Sequence, residues 1–171
     1  MPGEPRREVR LALVLNGGVS LAIWIGGVTK EIDELRLSSE PDGRRDDLGP
    51  TGELYGELMA ILAQQARVDV ISGASAGGIN GILLSSAIFS GSGLPESLRE
   101  IWIGLGDFRS LLRSPSDRDP PSLMKGDQVV LAKLRETVAE IYAGSRGRKR
   151  PSEGVYLYVT ATDLLGKWLM F

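Results

Sequence analysis

The chain has 171 residues, 42% of them hydrophobic, which suits one domain with an ordinary packed core. Lysine and arginine total 20 against 22 aspartates and glutamates, so the net charge of -2 gives no reason to expect nucleic acid as a partner. Cysteine and histidine are both absent, which excludes disulfides, thiolate metal sites and any Ser-His-Asp or Cys-His arrangement built from these residues.

The first predicted elements are a strand, a turn and a helix. Residues 9–15, VRLALVL, are mostly apolar, as in a parallel strand covered on both faces. Asn16-Gly17-Gly18 predicts the turn. Apolar residues at helical spacing predict the helix: Leu21, Trp24, Ile25, Val28, Ile32 and Leu35. The uncharged run over residues 11–29 is also typical of a signal peptide or a short membrane span, but the glycine turn would interrupt a single helix.

The middle of the chain predicts a linker, a helix, a strand and a buried helix. Residues 38–50, SSEPDGRRDDLGP, are polar and rich in turn formers. An amphipathic helix follows, marked by Leu54, Leu58, Ile61 and Leu62. Residues 68–71, VDVI, predict a short strand. The small-residue segment 72–78 then leads into residues 79–89, which are apolar nearly all round, as in a buried helix.

Two further helices, separated by the loop-like residues 106–122, and a strand are predicted next. The first helix starts near Pro95 and carries four apolar residues: Leu98, Ile101, Trp102 and Leu105. The second has Asp127 as its N-cap and carries Val130, Leu134, Val138 and Ile141. The strand is residues 155–161, VYLYVTA. Trp24 and Trp102 are expected in the core, and the basic loop 146–150 either is solvated or contacts anionic lipid headgroups.

Strands that alternate with helices predict an α/β fold, a three-layer sandwich with a mainly parallel sheet. A sheet that stands alone usually has more than three strands. Residues 167–171, KWLMF, form an apolar run without a closing turn. We therefore expect an N-terminal tail over residues 1–8 and, over residues 9–171, the front part of a truncated domain whose remainder lies in a longer protein.

Gly73-Ala74-Ser75-Ala76-Gly77 fits the G-x-S-x-G nucleophile elbow. A strand precedes it and a buried helix follows, so the serine hydroxyl is expected on a sharp, strained turn. Glycines two positions before and after the serine avoid clashes with neighbouring backbone, and the helix N-terminus offers free N–H groups to a developing negative charge. The alternative is a tight strand-to-helix turn whose small residues serve packing alone.

The turn Asn16-Gly17-Gly18 also lies between a strand and a helix, where exposed backbone N–H groups bind a phosphate or an oxyanion. The sequence GGVSLAIWIGG does not match the dinucleotide fingerprint, and no Gly-Lys-Ser/Thr of a phosphate-binding loop is present. Because an elbow is predicted as well, an oxyanion loop is the economical interpretation.

The order of elements over residues 9–165 resembles the N-terminal half of patatin-like phospholipases. It consists of a strand, a glycine turn, a helix, a linker and helix, and then the segment DVISGASAGGING. The segment 161–168, ATDLLGKW, resembles the exit of that family's third strand. The resemblance implies lipid acyl hydrolysis by a Ser-Asp dyad without histidine. It implies that Ser75 is the nucleophile and that Gly17, Gly18 and Val19, together with Ala76, belong to the backbone oxyanion site.

The chain departs from the family pattern at two places. The family loop usually has a third glycine and an arginine where Val19 and Leu21 stand here. The family aspartate lies in a D-G-G or D-G-A motif after the serine, and no such motif follows Ser75. Asp42-Gly43 precedes it in the polar linker and predicts a turn. Asp163, at the end of a strand, is either a structural cap or a fallback base.

The leading hypothesis is a lipid acyl hydrolase of the phospholipase or esterase type, with an aspartate base expected beyond Phe171, so that residues 1–171 alone would be inactive. The alternatives are an acyltransferase with the same elbow and a non-catalytic patatin-like binding or assembly module. No cofactor or metal is expected. The expected partner is a lipid or another acyl ester, with peripheral membrane contact and a cytoplasmic location. The oligomeric state is left open.

Overall fold

A computed structural model describes residues 6–18, 20–40, 48–118, 122–147 and 154–162, with Phe108 described by its backbone alone. Strands β1 to β3 are Arg7–Leu15, Gln64–Ala74 and Tyr156–Thr160. Helices α1 to α6 are Ala22–Ser39, Pro50–Ile61, Ala76–Ser90, Leu98–Leu105, Phe108–Leu111 and Leu131–Gly144, the last preceded by a π-helical turn, Gly126–Val130.

In the described part of the chain, the strands form a three-stranded parallel sheet in the order β1-β2-β3. The β1–β2 pairing runs from Arg7 opposite Gln64 to Leu15 opposite Gly73, with one register shift between Leu11 and Ala12. Parallel strands end at the same edge of a sheet, and the turns that follow β1 and β2 are therefore neighbours. This register brings the glycine turn and the elbow together.

The helices cover one face of this sheet. Leu15, Val68 and Ile71 join Leu83 and Leu84 of α3 in the main core. The opposite face is open among the residues described: Val14 is 75% exposed, Tyr156 69% and Tyr158 60%. The predicted mixed α/β fold with a parallel sheet is confirmed at this level.

Buried polar contacts fasten α1 to its surroundings. The Asp33 carboxylate, 1% exposed, accepts hydrogen bonds from the Leu94 backbone N–H at 2.7 Å and from the Arg36 guanidinium at 2.7 Å. Arg36 also donates to the Ser92 carbonyl. At the end of α1, the Ser39 hydroxyl accepts the Ala66 N–H of β2 at 2.9 Å. A buried charge needs such partners, and here the partners hold α1 and the loop after α3 together.

The boundaries of several elements differ from the sequence predictions. β2 has 11 residues, longer than the four predicted, because its pairing with β1 runs from Gln64 to Gly73. β1 begins at Arg7, inside the predicted tail 1–8. The linker predicted from residue 38 begins later, since Ser38 and Ser39 are buried in α1. Residues 41–47, which include Asp42-Gly43, lie outside the described residues.

The predicted inward face of α2 is also corrected. α2 buries Gly52, Gly56 and Met59, whereas Leu54, Leu58 and Ile61 are exposed. Gly56 allows a close approach to α1, because a Cβ there would lie 3.4 Å from the Ser38 carbonyl oxygen. The apolar stripe of α2 thus faces outward.

The two predicted core tryptophans have different outcomes. Trp24 is 67% exposed, so its predicted place in the core is wrong, whereas Trp102 is 5% exposed, as predicted.

The predicted N-cap at Asp127 is wrong as well. Asp127 lies within the π-helical turn and makes no side-chain cap. Its carboxylate accepts a hydrogen bond from the Arg113 guanidinium at 2.6 Å. An ion-pair partner from the preceding loop therefore replaces the helix N–H groups that a cap would have bound.

Candidate active site

Ser75 lies at a sharp corner between β2 and α3. Its backbone has φ 52° and ψ -126°, a conformation that side chains rarely adopt. The Ser75 carbonyl accepts the Ile79 N–H at 3.1 Å, which makes the serine the N-cap residue of α3. Its side chain makes no capping hydrogen bond and is exposed. The corner therefore presents a serine hydroxyl at the N-terminus of a buried helix.

The motif glycines Gly73 and Gly77 are required by close backbone contacts. A Cβ at Gly73 would come within 2.6 Å of the Gly77 carbonyl oxygen, and a Cβ at Gly77 would overlap the Leu15 carbonyl. Both clashes involve backbone, which has little freedom to move aside. The first turn of α3 thus lies directly against the ends of β1 and β2.

The glycine turn after β1 lies against Ser75. A Cβ at Gly17 would be 2.5 Å from the Ser75 Cβ and 2.6 Å from the Ala74 carbonyl oxygen. Gly18 has φ 141°, which side chains rarely adopt, and its carbonyl accepts the Leu21 N–H at 3.2 Å. Gly17 therefore lies against Ser75, and Gly18 follows it in the same turn, whereas Val19 lies outside the described residues.

Ala76 is the first residue of α3 and is 8% exposed. N–H groups in a first helical turn have no partner within the helix. Together with the backbone of the glycine turn, this helix end provides donors of the kind that stabilise an oxyanion.

An apolar cavity of about 470 Å³ adjoins the serine. It is lined by Ala74, Ser75, Ile79, Ile82, Val159, Thr160, Ala161 and Thr162. No carboxylate is among these described lining residues. Asp163 follows Thr162 directly in the chain but lies outside the described residues, so its role as a fallback base stays a prediction. The described ranges contain no group of three or more residues able to hold a metal ion.

The ionisable groups with displaced pKa values are not among the residues that line this cavity. Asp69 lies on β2, six residues before Ser75. A hydrogen bond from Arg10, supported by one from Arg67, holds the pKa of Asp69 below its usual value. Burial raises the pKa of Glu34. The hydrogen bond to Glu31 raises the pKa of Tyr55. These shifts belong to structural contacts.

Sequence reasoning missed one polar residue behind the elbow. Asn80 lies within the apolar run of α3, is 1% exposed and bonds to both α1 and α4. An amide side chain among the small and apolar residues 76–84 was the available signal, since a buried amide needs partners.

Comparison with known proteins gives one informative relative. The chain is 36% identical, over 182 aligned positions, to a Mycobacterium tuberculosis protein described as an uncharacterized membrane protein. The alignment takes in 96% of this chain and 16% of that protein, so the chain spans about a sixth of its relative's length. No model of a protein family matches the chain. No solved structure matches it. Among the described residues, no helix is both long and apolar enough to cross a membrane.

Proposed function

We propose that this chain supplies the nucleophile of a serine-dependent lipid acyl hydrolase. One observation carries the proposal: an exposed Ser75 in a strained conformation, between a strand and a buried helix, with Gly17 against its side chain. Strain of this kind persists where the surrounding structure enforces it and is concentrated at functional sites. A packing turn alone does not need a serine in this conformation.

In the proposed reaction, Ser75 Oγ attacks the ester carbonyl carbon while a base takes the hydroxyl proton. The resulting oxyanion accepts hydrogen bonds from the backbone at Gly17, Gly18 and Ala76. The C–O bond then breaks, and the leaving alcohol takes up the proton. Water hydrolyses the acyl-enzyme by the same steps. The proposed base is an aspartate, either Asp163 or one in a further segment of a longer polypeptide.

The proposed substrate class follows from the cavity beside the serine. Ile79, Ile82 and Val159 give this cavity apolar walls that suit a hydrocarbon chain. The relative described as a membrane protein supports peripheral membrane contact. The proposed location is the cytoplasm, with the protein at a membrane surface.

The finer fold proposed is a patatin-like, three-layer sandwich. The open sheet face, with Val14, Tyr156 and Tyr158, is the surface on which a second helix layer would pack.

A fluorophosphonate probe tests the nucleophile in the complete protein. The probe should label the parent protein at Ser75, and Ser75→Ala should abolish labelling. Ser86→Ala is the matched control, since Ser86 is a half-buried serine on the same helix whose hydroxyl donates to the Ile82 carbonyl. Unchanged labelling of Ser75→Ala would place the nucleophile elsewhere. A folded parent that is not labelled would favour the non-catalytic module.

The acyl acceptor is tested in a separate experiment. It uses unlabelled protein from a preparation that has been shown to react with the probe. Free fatty acid should be the product in water, with no dependence on an added thiol or alcohol. A product that forms only when a thiol or alcohol acceptor is present would show that the protein is an acyltransferase and not a hydrolase.

A further inference from the structure

Asn80 occupies a buried position behind the elbow, five residues after Ser75. Its amide nitrogen donates hydrogen bonds to the Ala76 carbonyl at 3.1 Å and to the Ala22 carbonyl at 3.3 Å. Its amide oxygen accepts the Trp102 indole N–H at 2.9 Å. The amide orientation is therefore determined, because the opposite orientation would place its oxygen against two carbonyls and its nitrogen against an N–H.

The groups that Asn80 joins are the starts of two helices. Ala22 is the first residue of α1, four positions after Gly18, and Ala76 is the first residue of α3, directly after Ser75. One side chain thus connects the first helical turn beyond the glycine turn with the first helical turn beyond the elbow. Trp102 of α4 closes the network from a third side.

The α1 backbone is shaped to admit this network. A Cβ at Gly26 would lie 2.8 Å from Trp102 Cδ1 and 3.4 Å from Asn80 Oδ1. Any side chain there would push the indole away from the amide. The other buried polar side chains of α3, Ser85 and Ser90, donate to carbonyls of α3 itself, whereas Asn80 also bonds to α1 and α4. A buried polar network whose members are paired defines one geometry.

We propose that Asn80 is a positioning residue that fixes the glycine turn relative to the elbow. By holding the starts of α1 and α3 at one separation, it keeps the backbone donors of Gly17 and Gly18 in place around Ser75. Its effect on catalysis rests on the proposed function, whereas its effect on the geometry of the two turns does not.

The test uses Asn80→Leu, which keeps the volume and removes the hydrogen bonds, and Trp102→Phe, which keeps an aromatic ring but removes the indole N–H together with part of the indole ring. The control is Ser39→Ala, which removes a buried hydrogen bond between α1 and the sheet at the other end of α1. Each protein is checked for folding by circular dichroism and thermal unfolding. Backbone amide NMR shifts of Gly17, Gly18 and Ala76 are then measured, together with the rate constant for fluorophosphonate labelling.

Both network variants should shift these amide resonances and slow labelling by about 10- to 100-fold, the effect of a small misplacement at a reacting centre. The double variant should be no slower than the worse single one, because both changes break one network. Ser39→Ala should leave the amide shifts and the labelling rate unchanged.

The result that overturns the proposal is a folded network variant with parental amide shifts at these three residues. If Asn80→Leu does not fold, Trp102→Phe decides the question. If the parent is not labelled at all, the proposed hydrolase fails, and the amide shifts still decide whether Asn80 positions the two turns.

Discussion

Ser75 and Ala63 are the non-glycine residues with positive φ in the described part of the chain, at 52° and 50°. A side chain in such a conformation costs on the order of 1–2 kcal/mol. Ala63 lies in the turn between α2 and β2, where glycine would serve as well. At Ser75 the strain accompanies a hydroxyl group that glycine would remove.

This difference predicts that Ser75→Gly and Ala63→Gly each raise the free energy of unfolding by about 1 kcal/mol, since strain relief exceeds the added entropy of the unfolded chain. Urea unfolding measures this. The two variants should differ in reactivity: Ser75→Gly loses fluorophosphonate labelling, and Ala63→Gly keeps it. A Ser75→Gly protein less stable than the parent would contradict strain at this position.

Gly17 and Gly27 form a second matched pair. A Cβ at Gly17 would clash with Ser75 and with the Ala74 carbonyl, whereas a Cβ at Gly27 would meet nothing within 4 Å. Gly17→Ala should lower the free energy of unfolding by about 1–3 kcal/mol and slow labelling of Ser75. Gly27→Ala, at an exposed position of α1, should raise the free energy of unfolding by about 0.5–1 kcal/mol. Equal free energies of unfolding and equal labelling rates in the two variants would show that the glycine turn does not pack on the elbow.

At the scale of elements, the sheet is held at its amino-terminal side by charges that span β1 and β2. The Asp69 carboxylate accepts hydrogen bonds from Arg10 at 2.5 Å and from Arg67 at 2.8 Å. These contacts, that of Arg10 foremost, lower the pKa of Asp69. A carboxyl whose pKa is lower in the folded state stabilises the fold above the unfolded pKa, and this contribution is lost as pH falls through the folded value.

Asp69→Asn should therefore flatten the acid dependence of stability. Parent and variant should each be stable at neutral pH, with the variant the less stable of the two. Below about pH 4, the usual carboxyl pKa, the difference between them should shrink. Arg10→Gln should give part of the same change. The measurement is urea unfolding from pH 7 downward. A difference in the free energy of unfolding between parent and Asp69→Asn that stays constant across this range would show that Asp69 does not contribute to the pH dependence of stability.

At the scale of the whole molecule, the elbow and the glycine turn form within these residues, but no described residue that lines the cavity beside Ser75 is a base. A serine hydroxyl is a weak nucleophile until a base removes its proton. Backbone donors alone retain some rate. The chain lacks histidine, and no Asp-Gly pair follows Ser75. The proposed chemistry at Ser75 therefore requires a base, for which an aspartate, either Asp163 or one in a further segment, is the proposal.

Residues 1–171 alone should hydrolyse a p-nitrophenyl ester at least about 10³-fold more slowly than the complete protein, as loss of one catalytic group commonly does. The comparison is made with purified proteins, and Ser75→Ala sets the background rate. Equal turnover would place the base within the chain. Asp163→Asn would then be the first variant to examine, and abolished turnover would identify Asp163 as that base.

The sequence by itself determined the features that depend on neighbouring residues. The elbow was predictable because Gly73 and Gly77 flank Ser75 between an apolar strand and an apolar helix, and the parallel α/β fold followed from the alternation of such elements.

Only the tertiary structure decided which helix faces are buried: α2 packs through Gly56, so its leucines face outward, and Trp24 is exposed while Trp102 is enclosed. The same is true of the contacts of Gly17 with Ser75 and of Asn80 with Ala22 and Trp102. Periodicity records which residues are apolar, but the partner that covers them is distant in sequence, and its position depends on the register and packing of the whole chain.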